Sequence, residues 1–254
     1  MQMSGNTILI TGGGTGIGRG LAGELLRLGN EVIIAGRRRE TLEETVAANP
    51  GMKAIVLDIE KGDGIREFAA RVTTSMPRLN VLINNAGIMR VERLGTQQED
   101  LADMEATIRT NLLGPIRLTA ALLPHLLKQQ AAAIVNVTSG LAFVPLAMTP
   151  TYCATKAALH SYTESLRYQM RNTPVEVLEL APPYVQTELL NGKDDPRAMP
   201  LVDFIAEVME ILQQQPTPKE ILVKGVMERR NLTALDRYEK VFEGMNAAMN
   251  IDTL

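Results

Sequence analysis

Three observations predict an α/β chain built on a parallel sheet wound on both faces. Short apolar runs alternate with stretches that carry apolar residues at helical spacing. Those runs are apolar at nearly every position, as strands covered on both faces are. The first run also leads straight into a glycine turn, Thr11-Gly12-Gly13-Gly14-Thr15-Gly16-Ile17-Gly18, which opens a helix. Strand, glycine turn and helix in succession bring a dinucleotide's pyrophosphate against bare backbone at the amino end of a helix. The expected architecture is a Rossmann-type doubly wound sheet of about seven strands flanked by helices. It forms one domain over residues 1–254, with a C-terminal helical segment at 229–250.

Taken in order, residues 7–10 are the first strand and 16–28 the first helix, stopped by Gly29-Asn30. In the turn between them, Gly12, Gly16 and Gly18 allow the close approach, with Thr15 and Ile17 alongside. The usual dinucleotide spacing of two and then three is absent, and no Gly-Lys-Ser/Thr follows, which counts against a phosphate-loop triphosphatase. Residues 31–35 are the second strand. A unit for the unphosphorylated cofactor would place an acid after it, on the ribose hydroxyls. This chain has Gly36 followed by Arg37-Arg38-Arg39. An arginine there pairs with an extra phosphate in a bidentate way, where an acid would repel it. Arg37 is the first candidate and Arg38 the second; a solvated basic turn opening the helix at 39–48 is the alternative.

Asn49-Pro50-Gly51 breaks that helix, and 52–57 is the third strand. Asp58, next to Ile59, could accept from the adenine amino group or cap the following turn. Residues 65–76 place Ile65, Phe68, Ala69 and Val72 on one side, a helical period ended by Pro77. The fourth strand, 81–84, ends in Asn85, Ala86 and Gly87, small enough to admit the adenosine half of a dinucleotide. A helical stretch over 101–129 is interrupted at Asn111-Leu112-Leu113-Gly114-Pro115, where a kink is expected. Asn111 could equally be a satisfied buried amide.

The fifth strand, 132–137, is followed by Thr138-Ser139-Gly140 and an apolar loop over 141–150. A helix then runs to about Met170. Tyr152 and Lys156 are four apart and share one face of it. An ammonium near a phenol favours phenolate, so Lys156 is expected to lower the Tyr152 pKa from about 10. A phenol so tuned donates a proton to a developing alkoxide and takes it back in reverse. Ser139 could hydrogen-bond the same oxygen.

Together, Thr11-Gly12-x-x-x-Gly16-Ile17-Gly18, Asn85-Ala86-Gly87 and the set Asn111, Ser139, Tyr152 and Lys156 resemble the short-chain dehydrogenase/reductase family. Ser139 stands thirteen residues before Tyr152, as that family has it, and the resemblance covers about residues 5–225. Closer similarity is to the DltE-like oxidoreductase subgroup, through the Gly-Arg-Arg and Pro-Pro-Tyr-Val-x-Thr-x-Leu segments. The resemblance implies that Ser139 orients a carbonyl, Tyr152 is the acid/base, Lys156 binds the nicotinamide ribose, and Asn111 holds a water in a proton relay. It also implies a homodimer or homotetramer built partly from the helices holding Asn111 and Tyr152.

Residues 176–181 are the sixth strand, followed by Pro182-Pro183-Tyr184-Val185-Gln186-Thr187. The family usually has Pro-Gly here; Pro183 fixes its own φ and has no backbone donor. By the resemblance, Pro182, the Val185 backbone and Thr187 meet the nicotinamide. The polar segment within 184–200 reads as a lid over substrate or as a surface loop. A helix at 201–212 and a strand at 220–223 complete the domain. Leu232, Leu235, Tyr238, Phe242 and Met245 then form an apolar stripe at helical spacing, expected to fold onto its own domain.

The substrate region draws on Leu141, Phe143, Met148, Tyr184, Leu189 and Met89. No arginine stands in the immediate loops after Ser139, so bulky or weakly polar carbonyl compounds and their alcohols are expected. His125 and His160 lie in helical stretches, and no metal is assigned. The net charge is -3, which gives no general pull toward nucleic acid or an acidic membrane. No charged-then-apolar leader opens the chain and no apolar run is long enough to span a bilayer. The single cysteine, Cys153, favours a reducing compartment, and a cytoplasmic protein is expected. The expected activity is NADP(H)-dependent interconversion of a carbonyl and an alcohol, with NAD(H) the weaker alternative. The other readings are an NAD(H)-dependent alcohol dehydrogenase of the same fold and a cofactor-binding regulator without turnover.

Overall fold

The computed structural model describes residues 1–95 and 101–232, together with Arg237, Lys240, Val241 and Gly244. Seven parallel strands form one sheet: β1 (Thr7–Thr11), β2 (Glu31–Gly36), β3 (Lys53–Val56), β4 (Leu79–Asn84), β5 (Ala132–Val137), β6 (Val175–Leu180) and β7 (Glu220–Ile221). Their order is β3-β2-β1-β4-β5-β6-β7. The chain winds outward from β1 to β3, then returns to β4 on the other side of β1. That reversal opens a crevice at the carboxyl ends of β1 and β4, where sheets of this kind bind ligands.

Among the described residues the two faces are covered by α1 (Gly16–Arg27), α2 (Arg39–Ala48), α3 (Gly62–Ser75), α4 (Ala102–Ile108), α5 (Gly114–Leu126), α6 (Pro150–Met170), α7 (Leu201–Leu212) and α8 (Lys224–Asn231). Alternate strand residues feed two core layers. Ile8 and Ile10 join Leu21, Leu25, Phe204 and Val208 on the α1/α7 face. Leu9 joins Ile65, Phe68, Leu118 and Leu122 on the α3/α5 face. Each such side chain, wholly withdrawn from water, stabilises the fold by roughly 1.5–3 kcal/mol before chain entropy is counted. The edge strands are blunted: β7 has two residues, and on β3 Lys53 reaches Glu31 at 2.6 Å.

Helix α3 begins at Gly62, ahead of the apolar period that starts at Ile65, because its first turn is polar and faces water. The expected interruption at Asn111 is a π turn, Arg109–Leu113. Pro115 has no N–H to return to the Asn111 carbonyl, and the Gly114 N–H bonds Arg109, five residues back. Gly114 is bare for a second reason: a β-carbon there would stand 2.7 Å from Ile59 Cγ1. Of the C-terminal stripe, Leu232 is buried, while Leu235, Tyr238, Phe242 and Met245 lie outside the described residues. Among the described residues no helix is long and apolar enough to cross a membrane.

Candidate active site

The glycine turn rests against the end of β4. Thr11 Oγ1 accepts from the Asn85 and Ala86 amides at 3.0 and 3.1 Å, and Asn85 Nδ2 donates to the Thr11 carbonyl at 2.9 Å. This lattice sets Gly12 so close that a β-carbon would lie 2.9 Å from Ala86 Cα. Gly16 has φ +50°, the left-handed region, and faces Thr187. At the start of α1, Thr15 makes no side-chain cap and the first turn holds no acid, so no side chain of that turn takes up its leading N–H groups. Gly18 lines neither of the clefts described below; a β-carbon there would collide with the Gly12 carbonyl, so its bareness serves packing of helix on turn.

Two clefts meet at Gly12, Thr15, Ala86 and Gly87. The smaller, about 190 Å³, is walled by Gly36, Arg37, Arg38, Asp58 and Ile59. Arg38 lies 3.7 Å from Glu188, Arg39 pairs with Glu43, and Arg37 has no ion pair among the described residues. Asp58 Oδ1 accepts from the Glu60 amide at 3.3 Å, as a cap of that turn does, and the residue also lines this cleft. An uncapped helix start, bare backbone and an arginine without an ion pair among the described residues fit the phosphates of a dinucleotide.

The larger cleft, about 410 Å³, continues past Ile17 and Asn85 to Ser139, Tyr152 and Lys156, with Pro182, Val185 and Thr187 on its far wall. Tyr152 and Lys156 are 6 % and 4 % exposed, on the face of α6 turned to the sheet. Ser139 hydrogen-bonds the Tyr152 phenol, and its Oγ accepts from the Leu141 amide at 3.1 Å. The Lys156 ammonium stands 5.6 Å from the Tyr152 ring centroid and donates to the Val137 carbonyl at 2.8 Å. The expectation that Lys156 lowers the tyrosine pKa does not hold in this state. Burial pushes the Tyr152 phenol up to about 12 against the opposing hydrogen bond from Ser139, and it pushes Lys156 down to about 8. The cause is desolvation, which penalises phenolate and ammonium alike.

Asn111 is fully buried and its amide is committed: Oδ1 accepts from the Ile88 amide at 2.9 Å, and Nδ2 donates to the Ile88 carbonyl at 2.8 Å and to Thr155 at 3.3 Å. Gly87 lies between it and Lys156. A β-carbon on Gly87 would stand 3.4 Å from Asn111 Oδ1 and 3.7 Å from Lys156 Nζ, so the missing side chain leaves a gap joining the two.

A family model for short chain dehydrogenases matches residues 6–198. The chain belongs to that family. It is 42 % identical over 258 residues to the uncharacterized oxidoreductase DltE of Bacillus subtilis, covering 98 % of this chain and all of that one. A short-chain dehydrogenase structure from Streptomyces avermitilis superposes with a TM-score of 0.82 at 26 % identity, covering 98 % of this chain and 99 % of that one. Another, from Burkholderia cenocepacia in complex with NADP, gives 0.81 at 25 % identity over 96 % and 99 %. The protein is therefore an oxidoreductase of the short chain dehydrogenase family, similar to DltE.

In this short chain dehydrogenase the loop over 184–200 is drawn together at its base. Val185 bridges to Met199, and the Gln186 amide donates to the Met199 carbonyl at 2.8 Å. The Tyr184 hydroxyl donates to Asp195 at 3.2 Å. Arg197 clamps the same carboxylate at 2.6 Å and holds it well below the usual range. Leu141, Tyr184, Leu189 and Met89 line the cleft as expected of the substrate region. Phe143 does not: it packs against the core, edge-on to His160 at 5.2 Å and under the Arg230 guanidinium. Met148 packs behind the lining, against the cluster of Met89, Leu146, Tyr152 and Cys153.

Two features escape the sequence. Glu179 on β6, fully buried, accepts from Thr138 Oγ1 at 2.6 Å and from His160 Nδ1 at 2.8 Å. It fixes the chain just before Ser139, and its hydrogen bond raises the His160 pKa. His160 also approaches Glu164 and Glu220, three potential ligands within 4.8 Å of one another. Glu220 is spent on Arg230 at 3.0 Å and the His160 Nδ1 on Glu179, and we assign no metal. The second feature is that Arg197 and Arg229 both line the substrate end of the cleft. The absence of arginine from the loops after Ser139 does not carry over to three dimensions.

The lowered Lys156 pKa has a measurable consequence. Between about pH 8 and its unfolded value near 10.5, the unfolded chain binds the proton and the fold does not, so stability rises with pH. Lys156→Met lacks that rise. Urea unfolding should find that the stability of K156M relative to the unmodified protein falls by on the order of 2–3 kcal/mol between pH 7 and pH 10. Above pH 10 Tyr152 works in the opposite direction, because its phenol stays protonated after the unfolded one has ionised. A gap independent of pH would mean that burial does not depress Lys156.

Proposed function

We propose that the protein is an NADP(H)-preferring oxidoreductase that interconverts a carbonyl and the corresponding primary or secondary alcohol, with Tyr152 as general acid/base. One observation carries the reading: the Ser139–Tyr152 hydrogen bond and the Lys156 ammonium stand in a cleft continuous with the glycine turn. Gly12, Gly16, Asn85 and Thr187 would hold a nicotinamide cofactor, with Arg37 on its extra phosphate, and the cofactor would supply the hydride for the carbonyl carbon or take it back. Ser139 donates to the carbonyl oxygen and fixes its direction. Tyr152 Oη delivers the proton to that oxygen as negative charge develops on it.

The burial that raises Tyr152 to about 12 keeps the phenol protonated at rest, which is the form reduction requires. Lys156, at about 8, is mostly charged at neutral pH, the form that donates to the hydroxyls of the nicotinamide ribose. Tyr152 regains its proton through Lys156 and the gap above Gly87 that reaches Asn111. Association through the helices carrying Asn111 and Tyr152 makes a homodimer or homotetramer; Ile108 and Tyr168, exposed on that side, favour it. The lone free cysteine, Cys153, supports a cytoplasmic location. The test is consumption of reduced cofactor with a panel of aldehydes and ketones. Turnover with NADPH ahead of NADH supports the reading, and cofactor binding with no turnover of any carbonyl returns the chain to a regulator.

A further inference from the structure

Arg229 follows Ser139 by 90 positions in sequence, yet the two line the same cleft. Its Nη1 lies 3.5 Å from the point where a β-carbon on Gly140 would stand, and Val226, one turn earlier on α8, lies 3.6 Å from that point. Val223, Val226 and Leu232 are fully buried, so α8 is fixed and presents Arg229 to the sheet end. The Gly140 amide donates to the Pro182 carbonyl at 2.8 Å, which ties this backbone to the wall opposite Tyr152. The guanidinium therefore sits one residue along the chain from the hydroxyl that orients the carbonyl.

The charges around it are already matched, and it is not. Arg197 is held by Asp195, and Glu188 lies 3.7 Å from Arg38. The Arg230 guanidinium is taken by Glu220. The carboxylate acting on Arg229 is Glu228, which is exposed and pairs with Arg237 at 2.9 Å. Among the described residues none forms an ion pair with Arg229, and burial pushes its guanidinium down from the ordinary value. An uncompensated cation in a desolvated place is unfavourable, and an incoming anion offsets that cost. The planar fork of arginine suits a carboxylate in two parallel hydrogen bonds.

We infer that Arg229 anchors a carboxylate of the substrate, so that the carbonyl compounds reduced here are small oxo acids and the alcohols are hydroxy acids. The inference rests on the oxidoreductase reading above and narrows its substrate. Size follows from the cleft: about 410 Å³ must hold the nicotinamide end of the cofactor as well. The carboxylate and the reacting carbonyl are separated by a few carbon atoms, because Arg229 and Ser139 flank the single residue Gly140.

The test compares 2-oxo- and 3-oxopentanoate with their methyl esters in the full chain with NADPH. The unmodified protein should favour an acid over its ester by at least about tenfold in kcat/KM, mainly through KM. In Arg229→Gln that acid-to-ester ratio should fall about ten- to a hundredfold, and Arg229→Lys should keep part of it. Equal efficiency on acid and ester in the unmodified protein, or an equal loss on both in R229Q, overturns the inference. A second measurement does not depend on turnover: calorimetric titration with oxamate and with pentanoate, with and without NADP⁺. Binding at least about tenfold weaker in R229Q than in R229K supports the anchor, and equal binding overturns it even if the carbonyl reaction is found. Carboxylate binding with no carbonyl turnover would sink the oxidoreductase reading and leave the anion site standing. Thermal unfolding of both variants verifies that a loss is not a loss of fold.

Discussion

Tyr152→Phe should lower turnover by at least about two orders of magnitude while cofactor affinity stays nearly unchanged. The substitution removes one oxygen from a buried ring and leaves the ring in place. Ser139 keeps its hydrogen bond from the Leu141 amide, and Lys156 keeps the Val137 carbonyl, so neither is orphaned. What is lost is the proton that Tyr152 holds with a pKa near 12. Steady-state kcat on any carbonyl the protein reduces, with cofactor Kd from fluorescence titration, measures both sides of the claim. A variant that keeps more than about a tenth of turnover would remove Tyr152 as the acid. Lys156→Ala is expected to fail differently, losing turnover and cofactor affinity together, because in the proposed function Lys156 holds the ribose as well as returning the proton to Tyr152.

The contrast between those two residues shows what the sequence can carry. Their shared helix face follows from a separation of four, and a glycine turn between an apolar run and a helix points to β1, α1 and the crevice above them. Their pKa shifts do not follow, because burial depends on what packs over α6. The expected kink at Asn111 was legible in Gly114-Pro115, since a missing N–H has the same consequence in any helix. Glu179 was not: a single acid in a strand reads as solvent-facing until β6 is set between β5 and β7. Arg229 was hidden for the same reason. Its helix has little apolar period of its own, with Val226 its one buried residue, and is held by contacts with Gly140 and Pro183 far away in the chain.

In the proposed function, cofactor choice is expected to turn on Arg37. A charge-assisted hydrogen bond contributes about 1.5–3 kcal/mol, which is roughly ten- to hundredfold in affinity. Arg37 lies on the open side of the small cleft, exposed and without an ion pair among the described residues, so its fork is available to a 2′-phosphate. Arg38, 3.7 Å from Glu188, would first have to leave that carboxylate, which makes it the lesser contributor. Arg37→Ala should therefore weaken NADP(H) binding about tenfold or more and leave NAD(H) binding almost unchanged. Gly36→Asp should push the same way by repulsion, and the fold admits it. A β-carbon on Gly36 would meet Leu42 Cδ2 at 3.6 Å, an ordinary contact, and its φ is not in the left-handed region. Kinetics with both cofactors on one carbonyl substrate decide the matter. Equal efficiencies in the unmodified protein, or equal losses with both cofactors in R37A, would make the arginine run a solvated helix start and shift the preference to NAD(H).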